Sequence, residues 1–233
     1  MKRILFAALC LMLAIGFAAL GVWQVERRAW KLALIDRVEA RIHAAPAALP
    51  PRAAWGGDLV YTRIRINGTF DHRAETLVQA VTDYGPGWWV MTPFRTVNCT
   101  LTVNRGFTPS DRRDPASRAA GQVAGPVTIT GLIRASEPGG AFLRSNDPAN
   151  DRWYSRDVAA IARAKGFGSG GSASGCVAPF FVDADATANP GGLPIGGLTV
   201  IAFPNNHLVY ALTWFGLAAL SLGGMVMVWR KRA

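Results

Sequence analysis

Phe203-Pro204-Asn205-Asn206-His207-Leu208-Val209-Tyr210-Ala211-Leu212-Thr213-Trp214 leads into an apolar run, Leu208 to Trp229, that contains no acidic or basic residue. A second such run, Ile4 to Trp23, stands near the other end of the chain. At ~1.5 Å rise per residue the two runs reach about 30 and 33 Å as helices, enough to cross a hydrocarbon core about 30 Å thick. The pattern predicts transmembrane helices at 4–23 and 207–229 that bracket a domain at 24–206. His207 then stands at the mouth of the second span. Ionisable groups at that depth usually face another helix or a cavity, which makes His207 a candidate metal or haem ligand.

Orientation follows from the second span, because no Lys or Arg occurs between Lys165 and the tail Arg230-Lys231-Arg232. The positive-inside rule places that tail in the cytoplasm, and a chain with two spans places Met1-Lys2-Arg3 there too. The middle of the chain is then extracytoplasmic. Arg27, Arg28, Lys31, Arg37 and Arg41 argue the other way, but they open a long domain and weigh less. A cleaved signal peptide would use Lys2-Arg3 as its n-region and cleave near Ala18-Ala19. The apolar run is longer than an h-region of about 7 to 15 residues, so an uncleaved anchor is the expectation.

Residues 24–206 carry 20 Lys and Arg against 15 Asp and Glu, once the five basic residues at the chain ends are set aside. The Arg bias suits carboxylate or phosphate partners, including anionic head groups, and equally suits an ordinary solvated surface. The chain's 3 cysteines and 3 histidines show no CxxC, CxxxC or HxxxH spacing, which speaks against a copper-chaperone or zinc site. Cys10 falls inside the first span, where a thiol is a small apolar filler. Cys99 and Cys176 share the oxidising compartment and can form a disulfide, although sequence supplies no distance.

Beyond Trp23 the spacing of Trp30, Leu34, Val38 and Ile42 predicts that the first helix continues as an amphipathic one and ends before Pro46. Strand signals follow near 60–70, 75–82, 88–96, 100–107, 125–135, 179–184 and 198–204, with a hairpin turn at Val97-Asn98-Cys99. A helix is expected with Ser155 as its cap, Asp157 in its first turn and Gly166 as its stop. The Gly/Ser stretch 168–175 reads as a flexible loop. The fold class is therefore an α+β membrane protein, in which two transmembrane helices bracket an extracytoplasmic antiparallel β domain, barrel-like or sandwich, with one or two helices. His72 beside Asp71 reads as a turn histidine. Gly85-Pro86-Gly87 lacks the Lys-Ser/Thr of a phosphate-binding loop, and no GxSxG or HExxH supports an enzyme. Nothing in the sequence suggests a nucleic-acid partner.

Several runs in order along the chain resemble the surfeit locus protein family of cytochrome c oxidase assembly factors. They are Gly21-Val22-Trp23-Gln24-Val25-Glu26-Arg27 with Trp30-Lys31, Gly68-Thr69-Phe70, and Val103-Asn104-Arg105-Gly106-Phe107-Thr108-Pro109. Gly131-Leu132-Ile133-Arg134, Asn150-Asp151-Arg152-Trp153-Tyr154-Ser155-Arg156-Asp157 and Pro179-Phe180-Phe181-Val182-Asp183 come next, and Asn205 to Trp214 closes the series. The resemblance implies a bacterial inner-membrane protein with both termini cytoplasmic and a periplasmic domain that assists oxidase maturation without being an enzyme. It also implies transient binding of haem a, with His207 implicated as the ligand. The partners it implies are the catalytic subunit of cytochrome c oxidase, the haem a synthesis machinery and membrane lipid. The Gly/Ser stretch and the two cysteines of the domain depart from the family pattern.

Haem a suits a membrane interface, with its ring and tail in lipid and its propionates toward water. Neutral imidazole of His207 can ligate its iron, and Asn205 or Asn206 can cap the turn. On a helix, His207, Tyr210, Ala211 and Trp214 share a face against which a flat ring can pack. Trp23, Gln24, Arg27 and Arg28 emerge at the same level on the first span, with Arg27 and Arg28 as candidate propionate partners. Gly16 and Ala19 on one span, and Gly216, Ala219 and Gly223 on the other, are expected to let the helices approach and leave a cleft for the ring. The plainer reading is an aromatic belt of Trp23, Tyr210 and Trp214 with snorkelling arginines. A haem-independent membrane scaffold, with Arg105, Arg134 and Trp153 as fold or docking residues, is the alternative to a haem carrier.

Overall fold

The computed structural model describes residues 1–141, 143–167 and 175–230. Of the expected loop at 168–175, all but Gly175 lies outside the described residues, as does the Lys231-Arg232 part of the basic tail. The chain divides into two compact units, Met1–Ala40 with Ile201–Ala233, and Arg41–Val200.

In the first unit the apolar runs form α1 (Lys2–His43) and α3 (His207–Arg230). Both are long and apolar enough to cross a membrane, with mean hydropathy of 2.6 and 1.8 over their best windows. On α1 the buried residues Ala7, Cys10, Ala14, Gly21 and Gln24 recur in steps of three, four or seven, and Ala211 and Ala218 do so on α3. This is the seam of a helix pair that packs through small side chains. A side chain on Gly21 would strike the ring of Phe215, while one on Gly224 would reach Cys10 Sγ at 3.8 Å. Contact positions rise along one helix as they fall along the other, so the pair is antiparallel. The expected contact face is corrected: a Cβ on Gly16, Gly216 or Gly223 meets nothing within 4 Å, and Ala19 and Ala219 are exposed. Five small residues on two helices fit more than one face by sequence; the bulk of Phe17, Trp214 and Phe215 selects another.

The second unit is a barrel-like sheet of β1 (Arg63–Phe70), β2 (Thr76–Thr82), β3 (Gly85–Arg95), β4 (Thr100–Pro109), β5 (Val127–Ala135) and β8 (Val177–Ala184), with a small ribbon of β6 (Gly140–Ala141) and β7 (Arg144–Ser145). The strand order is β1-β5-β8-β4-β3-β2, and Thr69 and Phe70 of β1 also pair with Arg95 and Phe94 of β3. That last pairing closes five strands into a ring and removes their open edges. A ring with an odd number of strands cannot alternate direction throughout. One pair must be parallel, and it is β4 with β8; the expectation of a purely antiparallel sheet is corrected on this point.

The parallel register sets Thr100 opposite Val177, which brings the preceding residues, Cys99 and Cys176, into a disulfide with Cα atoms 4.8 Å apart. The β3–β4 turn at Val97-Asn98 forms as expected, with Thr96 N–H donating to the Cys99 carbonyl at 3.0 Å. Side-chain alternation along β8 feeds two cores. Phe180 and Val182 join Ile64, Ile66, Phe94, Leu101, Val103 and Ile133 inside the ring. Phe181 faces the other way and packs with Trp153, Val158, Ile161 and Phe167 beneath α2 (Val158–Lys165). Between the elements, the guanidinium of Arg118 grips both oxygens of the Glu75 carboxylate, a pair sealed from solvent.

Three local expectations are corrected. The segment 198–204 is not a strand, because both neighbours of every ring strand are taken, Trp153 occupies the outer edge of β2, and Pro204 has no N–H to donate. Tyr61 adopts φ +65°, so β1 begins at Arg63 rather than near Val60. Asp157, not Ser155, caps α2 by accepting from Ala160 N–H at 3.0 Å, while Ser155 Oγ donates to the Glu137 carbonyl. Gly166 ends α2 at φ +69°, as its position predicts.

Candidate functional site at the head of the helix pair

α3 starts at His207, where Asn206 offers the first carbonyl, which accepts from Tyr210 N–H at 3.2 Å. Among the described residues neither Asn205 nor Asn206 caps the turn with its side chain; Asn205 Oδ1 is buried without a partner. His207 therefore enters the helix as its first residue, with its side chain turned toward α1.

There Gln24, buried in the seam, meets it: His207 Nδ1 lies 2.7 Å from Gln24 Oε1. An amide oxygen can only accept, so the imidazole donates from Nδ1; in the neutral ring the lone pair is then on Nε2. A histidine held through one nitrogen by a side-chain carbonyl is in the tautomer and orientation that a metal ligand needs. Gln24 is among the residues expected near the site; its pairing with His207 needs the helix register, which neither run carries.

The other expected residues separate. Ala211 and Trp214 follow His207 into the seam, Trp214 stacking on Phe17 with ring centroids 5.7 Å apart. Phe215 against Gly21 and this stack occupy the seam next to His207, where the cleft for a ring was expected. Tyr210 and Trp23 instead stand outward, more than half exposed. The shared face of four residues is thus split, since a 100° step per residue carries Tyr210 past the contact line. Arg27 lies over the ring of Trp30 at 4.0 Å, Arg28 is half-buried, and neither has a carboxylate partner among the described residues.

His72 and Asp71 do not form a working pair. Asp71 takes Arg95 at 2.6 Å, and His72 Nε2 donates to the Val123 carbonyl at 3.0 Å. No group of three or more His, Cys, Asp or Glu that could hold a metal ion occurs among the described residues. Trp153, considered for docking, is a core residue: its indole N–H donates to Asp151 at 2.7 Å and its carbonyl accepts from Gln79. Arg134 and Arg156 both reach Asp183, which also accepts from Asn104 and Thr199, so that buried carboxylate is fully engaged.

The model of the SURF1 family matches residues 11–219, a span that holds the whole barrel and reaches into both helices of the pair. The chain belongs to the SURF1 family. Among curated SURF1 relatives, Surfeit locus protein 1 of Rattus norvegicus is 36% identical over 217 residues, covering 86% of this chain and 68% of that protein. Surfeit locus protein 1 of Homo sapiens is 34% identical over 227 residues, 90% of this chain and 72% of the relative. The SURF1-like protein of Monosiga brevicollis is 37% identical over 226 residues, with 91% and 83% covered.

Proposed function

We propose that this SURF1-family chain is a cytochrome c oxidase assembly factor of the bacterial inner membrane, which holds haem a transiently at His207 and hands it to the catalytic oxidase subunit. Both termini are cytoplasmic and the barrel is periplasmic in this reading. It acts as a carrier and not as an enzyme. The observation that carries it is the His207–Gln24 hydrogen bond, which occupies Nδ1 and leaves Nε2 as the nitrogen that a neutral imidazole would offer to iron. Support for the membrane setting comes from the large apolar side chains that α1 and α3 turn outward, such as Leu9, Met12, Val209 and Leu212.

Haem a is cargo here, brought by the synthesis machinery and released to the oxidase. In this reading Nε2 of His207 coordinates its iron, Trp23 and Tyr210 offer apolar ring surface, and Arg27 and Arg28 meet the propionates at the water side. Gln24 keeps the proton on Nδ1 so that the imidazole is presented in one tautomer. A single protein ligand also suits a carrier, because transfer demands modest affinity.

The test is the absorption spectrum of the full chain purified from cells that make haem a. The wild-type chain is expected to carry a haem spectrum and His207→Ala to lose it. Unchanged spectrum and stoichiometry in His207→Ala would remove the ligand assignment. Co-purification with the oxidase subunit from cells that make no haem a would favour a haem-independent scaffold.

A further inference from the structure

A second feature lies at the far end of the helix pair, away from His207. The seam of small residues runs out there. Cys10 stands opposite Gly224, Ala7 is the buried residue of α1 nearest its start, and Phe6 and Val228 come next on the two helices. Together with Lys2 and Arg3 they line an open groove of about 270 Å3. Both cations are exposed and Phe6 is 47% exposed, so the groove presents charge and apolar surface outward at once.

No acidic side chain neutralises this end. The first acidic residue of the chain is Glu26, roughly 35 Å along α1 from Lys2, and the last is Asp185, so α3 carries none. The antiparallel pairing brings Arg230 to the same end, and Lys231 and Arg232 follow it in the sequence. The groove is thus cationic at the helix ends and apolar about 5 Å further in, the order in which an anionic phospholipid presents its phosphate and its acyl chains. A zwitterionic lipid brings its own cation beside the phosphate and gains less here. A second copy of this chain would bring the same positive charge, and a soluble anion would leave Phe6 and Val228 uncovered.

We propose that this groove seats one anionic phospholipid, its phosphate on Lys2 and Arg3 and the start of an acyl chain against Phe6 and Val228. The inference rests on the membrane setting of the proposed function and not on its haem. Guanidinium meets phosphate with paired N–H donors, and the lysine ammonium adds a point charge. At about 30 Å3 for each water in the liquid, the groove equals roughly nine waters, room for a phosphate and a few methylenes, with the rest of the lipid left in the bilayer.

The experiment is native mass spectrometry of the full chain in detergent, titrated with an equal mixture of phosphatidylglycerol and phosphatidylcholine of matched chains. A basic residue near an anionic lipid contributes about fivefold in affinity, so one bound phosphatidylglycerol, preferred at least about fivefold, is expected. Lys2→Gln with Arg3→Gln is expected to remove the preference. Val228→Trp, which fills the groove and keeps every charge, is expected to remove it too, whereas Lys31→Gln with Arg37→Gln, on α1 but far from the groove, is expected to leave it intact. Equal binding of the two lipids, a preference that survives Val228→Trp or the Lys2 and Arg3 changes, or one lost with Lys31 and Arg37 would each overturn the proposal. So would displacement of the lipid by soluble glycerol phosphate at matched concentration, or a dimer that excludes the lipid. An alkaline carbonate wash of reconstituted vesicles separates this inference from the reading beneath it. A chain washed off removes the membrane setting and this inference with it, whereas a chain retained but indifferent to lipid charge removes this inference alone.

Discussion

Ile64, Phe94, Leu101 and Phe181 in the barrel unit are wholly buried, whereas Leu5, Met12, Leu212 and Leu220 on the helix pair are between 64% and 74% exposed. The barrel closes its strands on themselves and stitches distant segments together with a disulfide, the sealed Arg118–Glu75 pair and the bonds around Asp183. The helix pair has a thin seam of small residues, and the His207–Gln24 bond sits at its end. A unit that turns its largest apolar side chains outward gains little from water exclusion, so packing of small residues and polar bonds at its ends count for more. The barrel has the opposite economy, with apolar burial dominant.

That contrast can be broken where the two units would respond together. Removing the disulfide, by reduction or by Cys99→Ser with Cys176→Ser, opens a link between residues 77 apart and is expected to cost the barrel about 4 kcal/mol. Denaturant unfolding of the full chain in detergent, read by near-UV dichroism for the barrel and far-UV dichroism for the helices, checks it. Loss of both signals at the same lowered midpoint would mean that the units do not unfold separately.

A smaller effect is expected from Gly21→Leu, which drives a side chain into the Phe215 ring and costs about 1 to 3 kcal/mol of helix packing. Spin-label distances between α1 and α3 should lengthen while the barrel midpoint stays put. An unchanged interhelix distance would remove Gly21 from the seam.

The smallest effect belongs to pH. Burial alone would raise the Glu137 carboxyl, but its hydrogen bonds and charge contact with Arg156 outweigh this and hold it below its ordinary 4.5. A carboxylate with a depressed folded pKa adds stability that is full above the unfolded value and fades as pH falls through the folded one. Glu137→Gln should therefore flatten the acid side of the barrel's stability profile below about pH 4.5 and leave the neutral region nearly unchanged. An acid limb identical to wild type would show that the pair adds nothing.

The elements built on local chemistry were legible in the sequence. Alternation and turn residues marked six strands to within a few positions, Gly166 marked the end of α2, and the spacing from Trp30 to Ile42 carried α1 beyond its apolar run. Pairing was not legible, because the parallel β4–β8 contact depends on ring closure, to which no local pattern refers. Leu198 to Phe203 had the composition of a strand but no free edge to join. At the candidate site His207 could be singled out by depth alone, while its bond to Gln24 depends on how two helices 183 residues apart in sequence set their register. Arg105, 1% exposed on β4, gave no sign of burial, since an arginine in a strand is ordinarily a surface residue.

The insertion of β8 between β4 and β5 orders events in time. A chain emerging from its N-terminus can form the β3–β4 hairpin and lay β5 on β1 early, from partners already made. The gap between β4 and β5 must wait for residues 177–184, and until then two strand edges stay unpaired. Such edges invite wrong partners, and long-range closure is slow. The last strand of the barrel is thus also its latch, and it comes free for folding only shortly before α3 begins to emerge.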